Sequence, residues 1–178
     1  MVLTNDDFIA DECRSLRVHG MARQQYLYDH IGHTSRLDEI QAAVLRCKFQ
    51  KLAQWNELRR LHAAIYDRAF AGTDVVTPHV LPETTYHSYH QYTIRHPNRD
   101  TLMAYLKEHQ VGSAIYYPVP LHVQPAYDFL GYREGDFPES ERACREVLSL
   151  AIQAHLTTEQ VEFAADVVVH FADEAAPV

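Results

Sequence analysis

Glycine is scarce here, 6 among 178 residues, and no Gly-x-Gly-x-x-Gly, Walker A or Gly-x-Ser-x-Gly string occurs. A glycine-rich phosphate cradle and a nucleophile elbow are therefore not expected. The 3 cysteines, Cys13, Cys47 and Cys144, never form a Cys-x-x-Cys pair. They read as reduced, small apolar side chains of a cytoplasmic protein. Basic residues are outnumbered, 16 Lys+Arg against 24 Asp+Glu, for a net charge of −8. A nucleic-acid surface shows the opposite, clustered balance, so no nucleic-acid partner is expected. No run approaches the roughly 20 apolar residues of a membrane span. The stretch Met1-Val-Leu-Thr-Asn-Asp-Asp7 has no basic segment ahead of an apolar core, so no secretory signal is expected. What is present is an ordinary globular composition, 47% hydrophobic and 22% charged, in a length that suits one domain or slightly more.

Periodicity divides the chain into readable elements. Thr4 is placed to cap a first helix beginning at Asn5, with Asp6 and Asp7 in its first turn and Ile9, Cys13 and Leu16 on one face; Gly20 stops it. A polar, Tyr-rich connector, Met21 to Gly32, leads to the strongest helical pattern, Ser35 to Ala71. There Ser35-x-x-Asp38 resembles a capping box, and Leu37, Ile40, Val44 and Cys47 begin an apolar stripe. At 1.5 Å per residue such a helix is roughly 50 Å long and suits a link between domains or a subunit contact. His90, Tyr92 and Ile94 then alternate as a strand, Leu102, Met103 and Leu106 mark a helix, and Ser113 to Tyr117 is a second strand. Asp136 and Pro138 open a helix whose apolar stripe is Ala143, Val147 and Leu150. Thr157-x-x-Gln160 is a capping box for the last helix, with Val161, Ala164, Val168 and Phe171 as its core face, before a frayed tail from Asp173. The mixture predicts an α/β or α+β small domain.

The 12 histidines raise the question of a metal. His30-x-x-His33 has Gly32 inside it, and His87-x-x-His90 enters a strand, where i and i+3 face opposite ways. No cysteine adjoins either pair, and no metal is expected. Two segments do read as site material. At Gly32-His-Thr-Ser-Arg36 a connector enters the long helix. Its Thr34 and Ser35 either help bind an anion at the helix N-terminus or merely cap the helix, with Arg36 paired to a carboxylate. At Ile115-Tyr-Tyr-Pro-Val-Pro-Leu-His122 an aromatic loop leaves a strand end. It either faces a ring-bearing ligand or is a proline-stiffened structural loop.

Both segments belong to one pattern. The string Ile31-Gly-His-Thr-Ser-Arg-Leu-Asp-Glu-Ile-Gln-Ala-Ala-Val-Leu45 resembles the G-x-N-S-R-L-D-x-I-Q-A-A signature of the DegT/DnrJ/EryC1/StrS aminotransferases. His87-x-Tyr-His-x-Tyr92, Asn98-Arg-Asp100, Tyr116-Tyr-Pro-x-Pro-Leu-His122 and Gln124-Pro-Ala-Tyr127 follow in family order. Asp136-Phe-Pro138, Val147-Leu-Ser-Leu150 and Leu156-Thr-x-Glu-Gln160 complete it, while Leu3-Thr-Asn-Asp-Asp7 and Leu16-Arg-x-His-Gly20 fit at the start. Ala151 and Gln153 stand where the family often has Pro and His.

The resemblance implies a pyridoxal 5′-phosphate (PLP) enzyme of aspartate-aminotransferase-like fold. This chain matches its C-terminal half, with a long inter-domain helix near residues 35–71. Residues 1–34 then correspond to the end of the large PLP-binding domain, 35–71 to the linking helix and 72–178 to a C-terminal small α/β domain. The family lysine that holds the cofactor and shuttles the proton precedes the point matching Met1, and Lys48, Lys51 and Lys107 lie in other contexts. The chain alone is therefore expected to be inactive. Thr34, where the family typically has Asn, and Ser35 are implied to meet the cofactor phosphate across a homodimer. Arg36, Tyr116, Tyr117 and His122 are implied to meet the substrate. The implied reaction converts a nucleotide-linked keto-sugar to an amino-sugar with an amino-acid donor, glutamate. The rival expectation is a non-catalytic domain that binds or complements a separately encoded N-terminal half. A third is a family member that works as a dehydratase, its lysine replaced.

Overall fold

The computed structural model describes residues 2–22, 24–81 and 86–175, which form two compact units, Met1–Lys51 and Leu52–Val178. In the first unit, helix α1 (Asp7–Leu16) is capped by Asp6, two residues later than the expected Thr4. The Asp6 carboxylate accepts from the backbone N–H groups of Phe8 at 2.9 Å and Ile9 at 3.2 Å. An aspartate reaches those orphan donors as well as a threonine and adds charge against the helix dipole, while the Thr4 hydroxyl accepts from the Asp6 N–H at 3.0 Å. The connector folds back on α1 through antiparallel bridges, Val18 with Thr34 and Met21 with Tyr28. No apolar side chain among described residues 2–51 is buried, and Leu37, Ile40, Val44 and Phe49 are all exposed.

Helix α2 spans Glu39–Ala69, so the expected start at Ser35 is corrected by four residues. Thr34 and Ser35 are already engaged in pairing, with the Ser35 N–H donating to the Arg17 carbonyl at 2.9 Å. Backbone held in an extended bridge cannot also begin a helix, and no capping box forms between Ser35 and Asp38. Instead the Ala42 N–H donates to the Asp38 carbonyl at 2.8 Å. The helix ends two residues before Ala71, and Gly72, at φ +86°, takes the left-handed turn beyond it.

The second unit is built on a three-stranded antiparallel sheet in the order β1–β3–β2, from β1 (Tyr92–Arg95), β2 (Ser113–Ala114) and β3 (Val147–Leu150). Tyr92 opposes Leu150 and Arg95 opposes Val147 across β1 and β3. The central strand β3 corrects the expectation that Val147 and Leu150 continue a helix. Helix α4 (Pro138–Glu146) stops at Glu146, and the next residues enter the sheet. Arg99 secures that transition, its guanidinium donating to the carbonyls of Cys144 at 3.1 Å and Val147 at 3.0 Å. Arg95 donates from Nε to Glu146 Oε2 at 3.0 Å, at the last residue of α4. The second expected strand is shorter than Ser113 to Tyr117, since only Ser113 and Ala114 pair with β3.

Helices α3 (Arg99–Glu108) and α5 (Thr158–Ala175) complete the unit. The capping box at α5 forms as expected: Thr157 N–H donates to Gln160 Oε1 at 3.0 Å and Gln160 N–H to Thr157 Oγ1 at 3.3 Å. Val161, Ala164, Val168 and Phe171 are buried with Ile94, Leu102, Leu106 and Leu148. The Tyr66 and Phe70 rings stack at 5.6 Å, and Tyr66 lies 4.9 Å from the ring of Tyr92. Each fully buried side chain of this size stabilises the unit by about 1.5–3 kcal/mol. Among the described residues the buried apolar core thus lies wholly in the second unit.

Candidate functional site

The candidate residues fall in both units. In the first, Thr34, Ser35 and Arg36 are exposed. Thr34 Oγ1 lies 3.3 Å from His19 Nε2. Because α2 starts at Glu39, these hydroxyls do not sit on its N-terminus, and Asp38 and Glu39 carry negative charge to that positive end. The helix start at Ser35, which both readings of Thr34 and Ser35 assumed, is therefore corrected. The chemistry of the residues present still fits the phosphate end of PLP: two exposed hydroxyls followed by an exposed guanidinium are donors suited to a dianion. Lys48, Lys51 and Lys107 are exposed on α2 and α3, and none neighbours this segment in sequence.

In the second unit, Tyr116 and Tyr117 leave β2 in a cis peptide, their rings edge to face at 5.7 Å and both exposed. Pro118 and Pro120 then carry the chain to a 3₁₀ turn, Leu121–Val123, that holds His122. Unlike the tyrosines, His122 is tied down. Its Nε2 lies 3.0 Å from Glu141 Oε1 on α4, and both side chains are only 8% exposed. The Gly135 N–H donates to the same oxygen at 2.7 Å. That N–H, opposed by burial and supported by His122, holds the Glu141 carboxyl below the usual glutamate range. Phe137 packs against the His122 ring at 4.9 Å, and Tyr132 meets Phe137 edge to face at 5.0 Å.

Pro118, Pro120, Tyr132, Arg133, Glu141 and Arg145 help line a cleft of ≈ 500 Å³ beside this loop, a size suited to a small-molecule ligand. The loop is legible in the sequence, but Glu141 is not, because its 19-residue separation from His122 leaves no local signal. Among the described residues no group of three or more His, Cys, Asp or Glu side chains is arranged to hold a metal ion. His30 instead faces Glu12 at 3.5 Å, and His87 Nδ1 accepts from the Tyr89 N–H. Among the described residues no helix is long and apolar enough to cross a membrane.

The sequence model of the DegT/DnrJ/EryC1/StrS aminotransferase family matches residues 1–169. A "Pleiotropic regulatory protein" of Geobacillus stearothermophilus is 47% identical over 174 residues, which are 96% of this chain and 46% of that protein. The dTDP-3-amino-3,4,6-trideoxy-alpha-D-glucose transaminase of Streptomyces venezuelae is 38% identical over 172 residues, 97% of this chain and 45% of the relative. Among solved structures, S. venezuelae DesV in complex with a ketimine intermediate superposes with a TM-score of 0.91 at 37% identity, covering 98% of this chain and 47% of that one. The chain spans about half the length of the relatives it matches.

Proposed function

The chain belongs to the DegT/DnrJ/EryC1/StrS aminotransferase family, and from that membership we propose that it is the C-terminal portion of a PLP-dependent aminotransferase. The complete enzyme takes a nucleotide-linked keto-sugar to an amino-sugar, with glutamate as amino donor, and works as a homodimer in the cytoplasm. The observation that carries this reading is the family match across residues 1–169, which takes in both site segments.

PLP, when bound, supplies the electron sink that lets an amino group leave the donor and enter the keto-sugar. This chain's residues bind and orient. Thr34 and Ser35 offer hydroxyl donors to the cofactor phosphate, and Arg36 offers a planar pair of donors to the diphosphate of the sugar nucleotide. Tyr116 and Tyr117 present ring faces and phenolic hydroxyls to the sugar or base. His122, held by Glu141, follows them in the same loop. Residues 1–34 then continue a large cofactor domain, α2 links it to residues 72–178, and the lysine lies outside this chain.

A second reading rests on the exposed apolar side chains of residues 2–51, Leu37, Ile40 and Phe49 among them. On that reading the chain is non-catalytic and complements a separately encoded half, to which this face binds.

Joining the preceding portion of the S. venezuelae transaminase in frame ahead of residue 1 tests the first reading. The chimera should bind PLP and pass the amino group of glutamate to a dTDP-linked keto-sugar. A folded, PLP-loaded chimera that transfers no amino group would overturn it. The 178-residue chain with PLP and borohydride should carry no stoichiometric lysine adduct, and an adduct on Lys48, Lys51 or Lys107 would contradict the placement of the lysine elsewhere.

A further inference from the structure

We infer that Glu141 is a positioning residue for the site loop, setting both the tautomer and the orientation of His122. The inference rests on the reading of residues 116–122 as the substrate-side loop.

Chemistry requires one arrangement at this contact. An ionised carboxylate only accepts, so the ring nitrogen 3.0 Å from Glu141 Oε1 must carry the hydrogen. His122 is then the Nε2–H tautomer when neutral, and Nδ1 is left as an acceptor. A ligand that reaches the ring's second nitrogen therefore meets a lone pair, which suits a sugar hydroxyl or an N–H donor. Without the carboxylate nothing at this contact chooses between the tautomers.

The carboxylate is itself held firmly. Oε1 takes the Gly135 N–H at 2.7 Å as well as His122, and Glu141 stands in the first turn of α4, a regular helix rather than a loop. Phe137, immediately before that helix, closes one side of the imidazole at 4.9 Å. Backbone bonds within the loop are all local, Val123 to Pro120 and Gln124 to Leu121, and fix its shape without fixing its place. The bond from His122 to Glu141 is long-range and joins the loop to α4 and to the turn at Gly135. Locking one rotamer and one tautomer before the ligand arrives removes that ordering cost from binding.

The test uses the uniformly ¹⁵N-labelled 178-residue chain at pH 8, with long-range proton–nitrogen correlations of the His122 ring. Wild type should show a single Nε2–H tautomer. Glu141→Gln, which keeps an acceptor oxygen, should retain it. Glu141→Leu should show both tautomers and exchange its Gly135 amide roughly tenfold faster, the loss expected for one net hydrogen bond. An Nδ1–H ring in wild type, or an unchanged Nε2–H ring in folded Glu141→Leu, overturns the inference. If Glu141→Leu does not fold, the ring state of wild type and Glu141→Gln decides it alone, Nε2–H in both supporting and Nδ1–H in either overturning. Titration with a dTDP-sugar reads the loop assignment separately. Unmoved Tyr116, Tyr117 and His122 signals would sink that assignment while leaving the tautomer result standing.

Discussion

Gly32 packs directly against Gly20: a β-carbon on Gly32 would stand 2.1 Å from the Gly20 nitrogen and 2.7 Å from the Leu16 carbonyl oxygen. This contact lets the connector close over the end of α1. The His33 N–H reaches the Leu16 carbonyl at 2.8 Å, and the His19 N–H reaches the His33 carbonyl at 2.9 Å. Thr34, Ser35 and Arg36 follow at once, so two glycines place the segment proposed to meet the cofactor.

Gly32→Ala should therefore open the connector, since backbone rather than a flexible side-chain tip opposes the added methyl. Gly20→Ala should do the same for two reasons, a β-carbon 1.9 Å from the His30 carbonyl oxygen and a φ of +75°. A cost on the order of 1–3 kcal/mol is expected for overpacking of this kind. Limited proteolysis should show faster cleavage within residues 17–36 in both variants. Wild-type cleavage rates there would show that the contact is not close-packed in solution.

His62 lies inside the core at 4% exposure, and its Nδ1 has no hydrogen-bond partner among the described residues. Burial lowers its pKa below 6.5, against the opposing effect of a hydrogen bond to the Gln153 backbone. The unfolded chain takes up a proton near pH 6.5 where the folded chain does not. The stability tied to neutral His62 is thus present above about pH 6.5 and is lost as pH falls from there towards the folded pKa. Denaturant unfolding between pH 7.5 and 5.5 should show this loss in wild type and a shallower one in His62→Leu. Equal slopes would mean that His62 titrates alike in both states.

Tyr92 donates to Asp67 Oδ1 at 2.6 Å, and burial, then that carboxylate, pushes its phenol well above the ordinary value of 10.0; burial does the same to Tyr66. Both groups favour the fold below about pH 10, and that contribution is lost as pH rises further, because only the unfolded chain then ionises them. Alkaline titration followed at the tyrosinate absorbance should leave two tyrosines silent until the second unit unfolds. Tyr92→Phe should cost about 1 kcal/mol, the net worth of one hydrogen bond. Early titration of all 11 tyrosines would count against this packing.

Local signals were legible where they are short-range. The Thr157–Gln160 capping box and the core face Val161, Ala164, Val168 and Phe171 both follow from spacing and propensity. Val147–Leu150 was not legible as a strand. Its apolar residues continue the helical stripe from Ala143, and burial in the middle of a sheet removes the alternation that distinguishes a strand. The start of α2 was misplaced for a related reason. Ser35 and Asp38 have a capping arrangement by themselves, and only the hydrogen bond from Ser35 to Arg17 takes it away.

By itself, the sequence determined the family, through ordered motifs from Leu3 to Gln160, and the residue types offered to a ligand: hydroxyls and a guanidinium at Thr34–Arg36, and rings at Tyr116, Tyr117 and His122. The tertiary structure alone decided which of those groups are held. Arg36, Tyr116 and Tyr117 stand exposed, while His122 is buried against a carboxylate 19 residues away. Such a pairing depends on two elements meeting in space, and no periodicity along the chain encodes it.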